Sequence, residues 1–174
     1  MKILITGRSG SGKTALLPAL EACGFTTYNT DDMPDTARLE NKLTGEPVDW
    51  PKGYIDWDVY AWRWQREPLR KLLDSAANVA IAAVMANQKD FYDWFDLRFV
   101  VTITPEALAR HWRGSESHHK DSDPANLERA VALHNKKQQL FIDDGCIPIA
   151  GDRSIADMAH DIMEVVDAHG GMAA

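Results

Sequence analysis

Apolar residues run together at Ile3-Leu4-Ile5, from Asn78 to Met85 and from Leu97 to Ile103, the pattern of strands covered on both faces. Lys2 to Thr6 therefore predicts a first strand, and Lys13 to Cys23 a helix stopped at Gly24. Phe25 to Asn29 predicts a second strand and Cys146 to Ala150 a last short one. Thr104-Pro105-Glu106 opens a helix with a cap residue, a proline in the first turn and an acid near the positive end. Asp123-Pro124 opens another, with Leu127, Val131, Leu140 and Phe141 as its apolar positions and Gly145 as its end. Ser154-x-x-Asp157 starts a closing amphipathic helix through Ile155, Met158, Ile162 and Val165. Between the second and third strands the pattern is weaker. It predicts a helix from Pro34 to Leu43, a turn at Gly45-Glu46-Pro47, and a helix from Asp58 to Asp74 kinked at Pro68. In that second helix Trp62, Leu69 and Leu73 would share a face, and Glu67 and Lys71 would form an i,i+4 pair. Strands alternating with helices imply an α/β protein with a mostly parallel sheet and helices on both faces.

Composition changes this picture little. A chain of 174 residues with 45% hydrophobic content suits one domain, 1–174. No long uncharged apolar stretch is present, and Met1-Lys2 leads directly into the first strand, so the expectation is a cytoplasmic protein away from membranes. Cys23 and Cys146 stand alone, without C-x-x-C spacing, and read as reduced packing residues. Charge says more. A net charge of −7 argues against general nucleic-acid binding, which needs Lys and Arg to neutralise phosphates. Between Tyr28 and Tyr60, eight acids against three bases leave −5 of that charge on one stretch.

The strongest local signal is Gly7-Arg8-Ser9-Gly10-Ser11-Gly12-Lys13-Thr14, which satisfies G-x-x-x-x-G-K-[ST] between a strand and a helix. Glycines allow a concave backbone whose N–H groups point inward, and the following helix adds its positive end, so the loop is built for a polyphosphate. Lys13 would contact the β and γ phosphates and the Thr14 hydroxyl a Mg²⁺ ion. In a sheet of this kind ligands bind beyond the carboxyl ends of the strands. Asn29-Thr30-Asp31-Asp32 lies at such an end. Phosphoryl transfer to a hydroxyl needs a group that orients the acceptor and takes its proton, and Asp31 is the candidate. Asp32 is a candidate Mg²⁺ partner, with helix capping as the alternative for both aspartates.

Ala80-Ile81-Ala82-Ala83-Val84-Met85 holds no acid, so the Walker B carboxylate of mechanical ATPases is missing from the third strand. Asn87 and Gln88 follow it and are candidates for substrate hydroxyls, or else plain turn residues. Arg110 and Arg113 precede the polar segment Gly114 to Lys120, a candidate lid over about 113–124. Arg113 would bring charge to the transition state and Arg110 would contact the nucleotide base. Exposed helix charges are the alternative. His118-His119 is weak evidence for a metal. Trp50, Trp57, Tyr60, Trp62 and Trp64 crowd into a substrate arm over about 30–76, either packing it or, beside Asp49, Asp56 and Asp58, lining a pocket for a cationic acceptor.

These residues resemble the small P-loop kinases of the shikimate kinase, gluconate kinase and nucleoside monophosphate kinase group over nearly the whole chain. The segment Asn87-Gln88-Lys89-Asp90-Phe91-Tyr92-Asp93-Trp94-Phe95-Asp96 is similar to one in shikimate-kinase-like ATP-binding proteins. The resemblance implies a three-layer α/β/α P-loop NTPase fold with a five-stranded parallel sheet of order 2-3-1-4-5. It also implies ATP with Mg²⁺ and transfer of the γ-phosphoryl to a small acceptor. Two departures matter. Asn29-Thr30-Asp31 stands where shikimate kinases usually have Asp-Thr-Asp, and Met85-Ala86-Asn87 where they have a glycine triplet for the acid substrate. Shikimate is thus not the expected acceptor, and a neutral or cationic hydroxyl compound fits the acidic arm better. The rival reading is a nucleotide-binding switch without an acceptor. ATP and GTP both stay open, since the Asn-Lys-x-Asp guanine signature is absent, and so do monomer and homodimer.

Overall fold

Ile3, Leu4 and Ile5 are fully buried because their strand has a neighbour on each side and helices over each face. The elements follow in the order β1 (Lys2–Thr6), α1 (Lys13–Ala22), β2 (Thr26–Asn29), β3 (Ala37–Asn41), β4 (Tyr60–Trp64), α2 (Arg66–Leu73), β5 (Val79–Ala82), β6 (Leu97–Thr102), α3 (Pro105–Gly114), α4 (Pro124–Asp143), β7 (Ile147–Ala150) and α5 (Ile155–Ala168). 3-10 segments at Thr30–Asp32 and Gln88–Trp94 complete the chain. The computed structural model describes residues 1–8, 10–49, 55–114 and 124–171, with backbone alone at 111–114 and 124–130.

The main sheet runs β2-β5-β1-β6-β7 and every pairing in it is parallel. Numbering only these five strands along the chain gives 2-3-1-4-5, the expected order. Alternation along β1 divides the core. Ile3 and Ile5 pack with Leu16 and Leu20 of α1 and with Met158, Ile162 and Val166 of α5. Leu4 faces the other way, toward Leu69 and Leu73 of α2 and toward Phe91 and Phe95. Each such fully buried side chain contributes roughly 1.5–3 kcal/mol. The predicted caps form: Thr104 Oγ1 accepts from the Ala107 N–H at 3.2 Å, and Ser154 Oγ accepts from the Asp157 N–H at 3.1 Å.

The arm departs from the sequence reading. Ala37–Asn41, inside the predicted Pro34–Leu43 helix, is strand β3, paired antiparallel with β4 from Ala37↔Trp64 to Asn41↔Tyr60. The predicted Asp58–Asp74 helix is likewise two elements, β4 and α2, so Trp62 does not share a helix face with Leu69 and Leu73. Pro68 produces no kink. It sits in the first turn of α2, where its missing N–H has no intrahelical partner to lose. The alternating aromatics Tyr60, Trp62 and Trp64 favour a pleated surface, and pairing with β3 decides the matter.

Cys146 is buried and Cys23 half-buried, and both are free thiols. Among the described residues no helix is long and apolar enough to cross a membrane. Ile162→Ala should lower stability by about 2–5 kcal/mol through the cavity it opens between α5 and the sheet. A urea melt would show this as a lower midpoint at unchanged slope.

Candidate functional site

β1 carries the chain to the carboxyl edge of the sheet, and the glycine loop turns it back into α1. Gly12 stands at the N-cap of α1 with φ of 96°, a left-handed conformation that strains any side chain. No side chain caps α1 there, so its first N–H groups face outward at the positive end of the helix. Gly7 is required by space. A Cβ at that position would lie 2.8 Å from the Val101 carbonyl oxygen and 2.9 Å from Ser11 Oγ. The Ser11 N–H closes the loop on the Arg8 carbonyl at 3.1 Å. Ser9 lies outside the described residues.

Lys13 is only 6% exposed. Its Nζ donates to the carbonyls of Gly7 at 2.9 Å and Arg8 at 3.1 Å, which leaves one of three ammonium donors for a ligand. Burial pushes the ammonium down to about 8; the Asp31 carboxylate partly opposes this, and the Arg8 cation adds to it. Asp31 thus acts on Lys13 electrostatically although β5 separates β2 from β1. Burial also lowers Arg8, whose Nε is buried with no hydrogen-bond partner among the described residues.

The buried Lys13 ammonium, the half-buried Arg8 with its orphaned guanidinium nitrogen and an uncapped helix terminus, set against one carboxylate, form a donor set that fits a polyphosphate. For a divalent cation the chain offers Thr14, exposed in the first turn of α1, and Asp32, exposed at the end of the Thr30–Asp32 turn. The Asp32 carboxylate accepts from Asn29 Nδ2. Among the described residues no group of three His, Cys, Asp or Glu could cage a metal alone. Thr14 and Asp32 are oxygen donors of the kind a Mg²⁺ ion accepts alongside phosphates.

Asn87 and Gln88 lie at the expected edge, but the protein engages their amides. Thr6 Oγ1 donates to Gln88 Oε1 at 3.1 Å, the Met85 N–H donates to the same oxygen at 3.2 Å, and Gln88 Nε2 donates to Tyr92 Oη at 2.8 Å. Gln88 is 2% exposed. Asn87 accepts from the Trp64 N–H and donates to the Trp64 carbonyl. The two amides expected to face a substrate thus make hydrogen bonds within the protein, one at the root of the glycine loop and the other at β4. Burial raises both the Tyr92 phenol and the Cys146 thiol at the far end of the Gln88 network, which keeps the thiol protonated and unreactive.

Arg110 is exposed on α3. The side chain of Arg113, residues 115–123 of the lid with His118 and His119, and Trp50 lie outside the described residues. Thr30 at the strand end and Trp64 in the aromatic arm are joined by a buried hydrogen bond beside Asp31, a link not foreseen from the sequence. A tryptophan buried in an aromatic run must find a partner for its indole N–H, and that was the available signal.

No protein-family model and no curated protein sequence matches the chain. Solved structures do. A shikimate kinase from Bacteroides thetaiotaomicron aligns with a TM-score of 0.60 at 15% identity, covering 96% of this chain and 98% of that one. Deoxyadenosine kinase from M. mycoides with bound dATP aligns at 0.58 and 10% identity, covering 96% and 100%. A shikimate kinase from Aquifex aeolicus aligns at 0.58 and 14% identity, covering 98% of each chain. At these identities the likeness establishes a shared fold.

Lys13 also makes stability depend on pH. Its folded value of about 8 lies below the ordinary lysine value of 10.5, so between the two the unfolded chain binds more protons. The penalty of burying the charge is whole below about pH 8 and is relieved as pH rises toward 10.5. The stability of the ligand-free protein relative to a Lys13→Met variant should therefore rise across that window, by on the order of 2–3 kcal/mol. Denaturant midpoints measured at both ends would check it.

Proposed function

We propose that this chain, which has the fold of the P-loop small-molecule kinases, is an ATP-dependent phosphotransferase acting on a small hydroxyl compound. The observation that carries the reading is the opposition of Lys13 and Asp31. A buried ammonium and loop amides mark where a triphosphate ends, and a carboxylate from the end of β2, two strands along the same sheet edge, acts across it. Lys13 and the N–H groups at the head of α1 hold the β and γ phosphates, and Arg8 adds a second cation beside them. Asp31 orients the acceptor hydroxyl and takes its proton. The acceptor oxygen then bonds to the γ-phosphorus as the bond to the β,γ-bridging oxygen breaks, and ADP departs. Thr14 and Asp32 would hold a Mg²⁺ ion together with the phosphates, and that ion would neutralise charge at the transferring group. Arg113 is the candidate to bring positive charge to the transferring group.

The acceptor is neutral or cationic, since the arm from Tyr28 to Tyr60 concentrates negative charge. The same charge disfavours nucleic acid as a partner. A cytoplasmic location accords with a reaction that consumes ATP.

A screen of hydroxyl-bearing metabolites for ATP-dependent phosphorylation tests the reading. Lys13→Ala should abolish nucleotide binding and turnover. Asp31→Asn should keep ATP binding and slow transfer by roughly 10²-fold or more, the scale of a general base. Full activity in Lys13→Ala would sink the assignment. Tight ATP binding with no saturable transfer to any metabolite would favour a nucleotide-binding switch instead.

A further inference from the structure

β4 ends on Trp64, and this residue joins three parts of the molecule. Its N–H donates to Asn87 Oδ1 at 3.0 Å and its carbonyl accepts from Asn87 Nδ2 at 3.1 Å. The side-chain amide of Asn87 thereby pairs with Trp64 as the peptide of a neighbouring strand would. The indole Nε1–H donates to Thr30 Oγ1 at 2.9 Å. Phe95 stacks on the indole at 6.0 Å between centroids and Phe91 meets it edge-on at 5.8 Å, so the ring has little room to turn. Thr30 is 0% exposed and Trp64 2%. At such burial the indole–hydroxyl bond has no water to replace it, and losing either partner leaves the other unsatisfied.

Thr30 opens the short turn that carries Asp31 and Asp32, and Asp31 is the next residue in the chain. Its backbone is thus pinned one residue from the carboxylate that acts on Lys13. The arm is tied to the core at this same place, because the Ala86 N–H donates to the Trp62 carbonyl at 2.9 Å, and within the arm the Gln65 N–H donates to the Thr36 carbonyl at 2.8 Å.

We propose that Trp64 is a positioning residue for Asp31, setting that carboxylate against the phosphate loop through Thr30, with Asn87 holding Trp64 in place. The inference rests on Asp31 being the acceptor's base. Because Trp64 terminates β4, the hairpin that would meet the acceptor and the turn that would deprotonate it share one rigid side chain. Displacement of the β3–β4 hairpin is then felt at Asp31. Loss of the pin should slow phosphoryl transfer roughly tenfold or more while leaving ATP affinity unchanged, since misplacement of about 1 Å costs up to 10²-fold.

The test needs no identified acceptor. Crystal structures of the full, ligand-free chain and of its variants read the place of the Asp31 carboxylate against the glycine loop directly. Trp64→Phe keeps the ring and removes the N–H, and Thr30→Val keeps the shape and removes the hydroxyl. Each should displace the Asp31 carboxylate by about 1 Å or more with the loop and the β3–β4 pairing unchanged, and the double variant no further than either single one. Thr30→Ser, which keeps the hydroxyl, should leave the carboxylate at its parental place. If Trp64→Phe does not fold, Thr30→Val against Thr30→Ser decides alone. ATP affinity, measured by calorimetry, should match the parent in every variant. A parental Asp31 position in Trp64→Phe and Thr30→Val overturns the positioning role while leaving the kinase reading standing. Weakened ATP binding in both would overturn it as well, since the damage would then lie at the loop and not at Asp31.

Discussion

A lysine ammonium almost wholly withdrawn from water, at the head of α1, sets the terms for the rest of the site. Burial disfavours its charge strongly, and the fold answers with two loop carbonyls and with the field of Asp31 from a different strand end. Neither is full compensation, since the ammonium remains well below the ordinary lysine range and Arg8 stands close enough to lower it further. The loop therefore keeps an unbalanced positive potential in a place where solvent screens it poorly. An anionic group entering the loop would relieve that imbalance, and this is the physical reason that an otherwise destabilising arrangement is useful.

Everything around the loop serves to hold that arrangement still. β1 is the central strand of the sheet and is buried on both faces, so the loop leaves from the most rigid part of the molecule. Gly7 permits the close approach to Val101 that the turn requires. Gln88 holds Thr6, the last residue before the loop, and links it to the exit of β5 and to Tyr92. Buried polar networks of this kind rigidify when every member is satisfied. Asn87, its neighbour, looks outward to the arm instead, and through Trp64 it reaches the turn of Asp31. Two consecutive amides thus hold the root of the glycine loop and the residue that pins the turn of Asp31.

How much of this was legible in the residues follows from the range of the forces involved. The parallel sheet and its order were readable because continuous apolar runs and helix caps are local signals, and Ser154 and Thr104 cap as their spacing implies. The glycine loop was readable for the same reason. The arm was not. Trp62, Leu69 and Leu73 fit a helical stripe by spacing, but Trp62 belongs to a strand whose pairing with β3 is a long-range fact. The place of Asn87 and Gln88 at the edge of the sheet was readable; their hydrogen bonds within the protein were not. Whether a polar side chain turns to solvent or inward depends on partners such as Thr6, Trp64 and Tyr92, which are 4 to 82 residues distant in sequence.

The central claim is that the loop receives a nucleoside triphosphate with its γ-phosphoryl turned toward Asp31. A crystal structure of the protein with Mg²⁺ and a non-hydrolysable ATP analogue tests it most directly. The account predicts Lys13 Nζ within hydrogen-bond distance of the β and γ phosphates, the amides at the head of α1 on the same oxygens, and the Asp31 carboxylate facing the γ-phosphorus across a space that admits a hydroxyl. An analogue bound elsewhere, or a γ-phosphate turned away from Asp31, would contradict it.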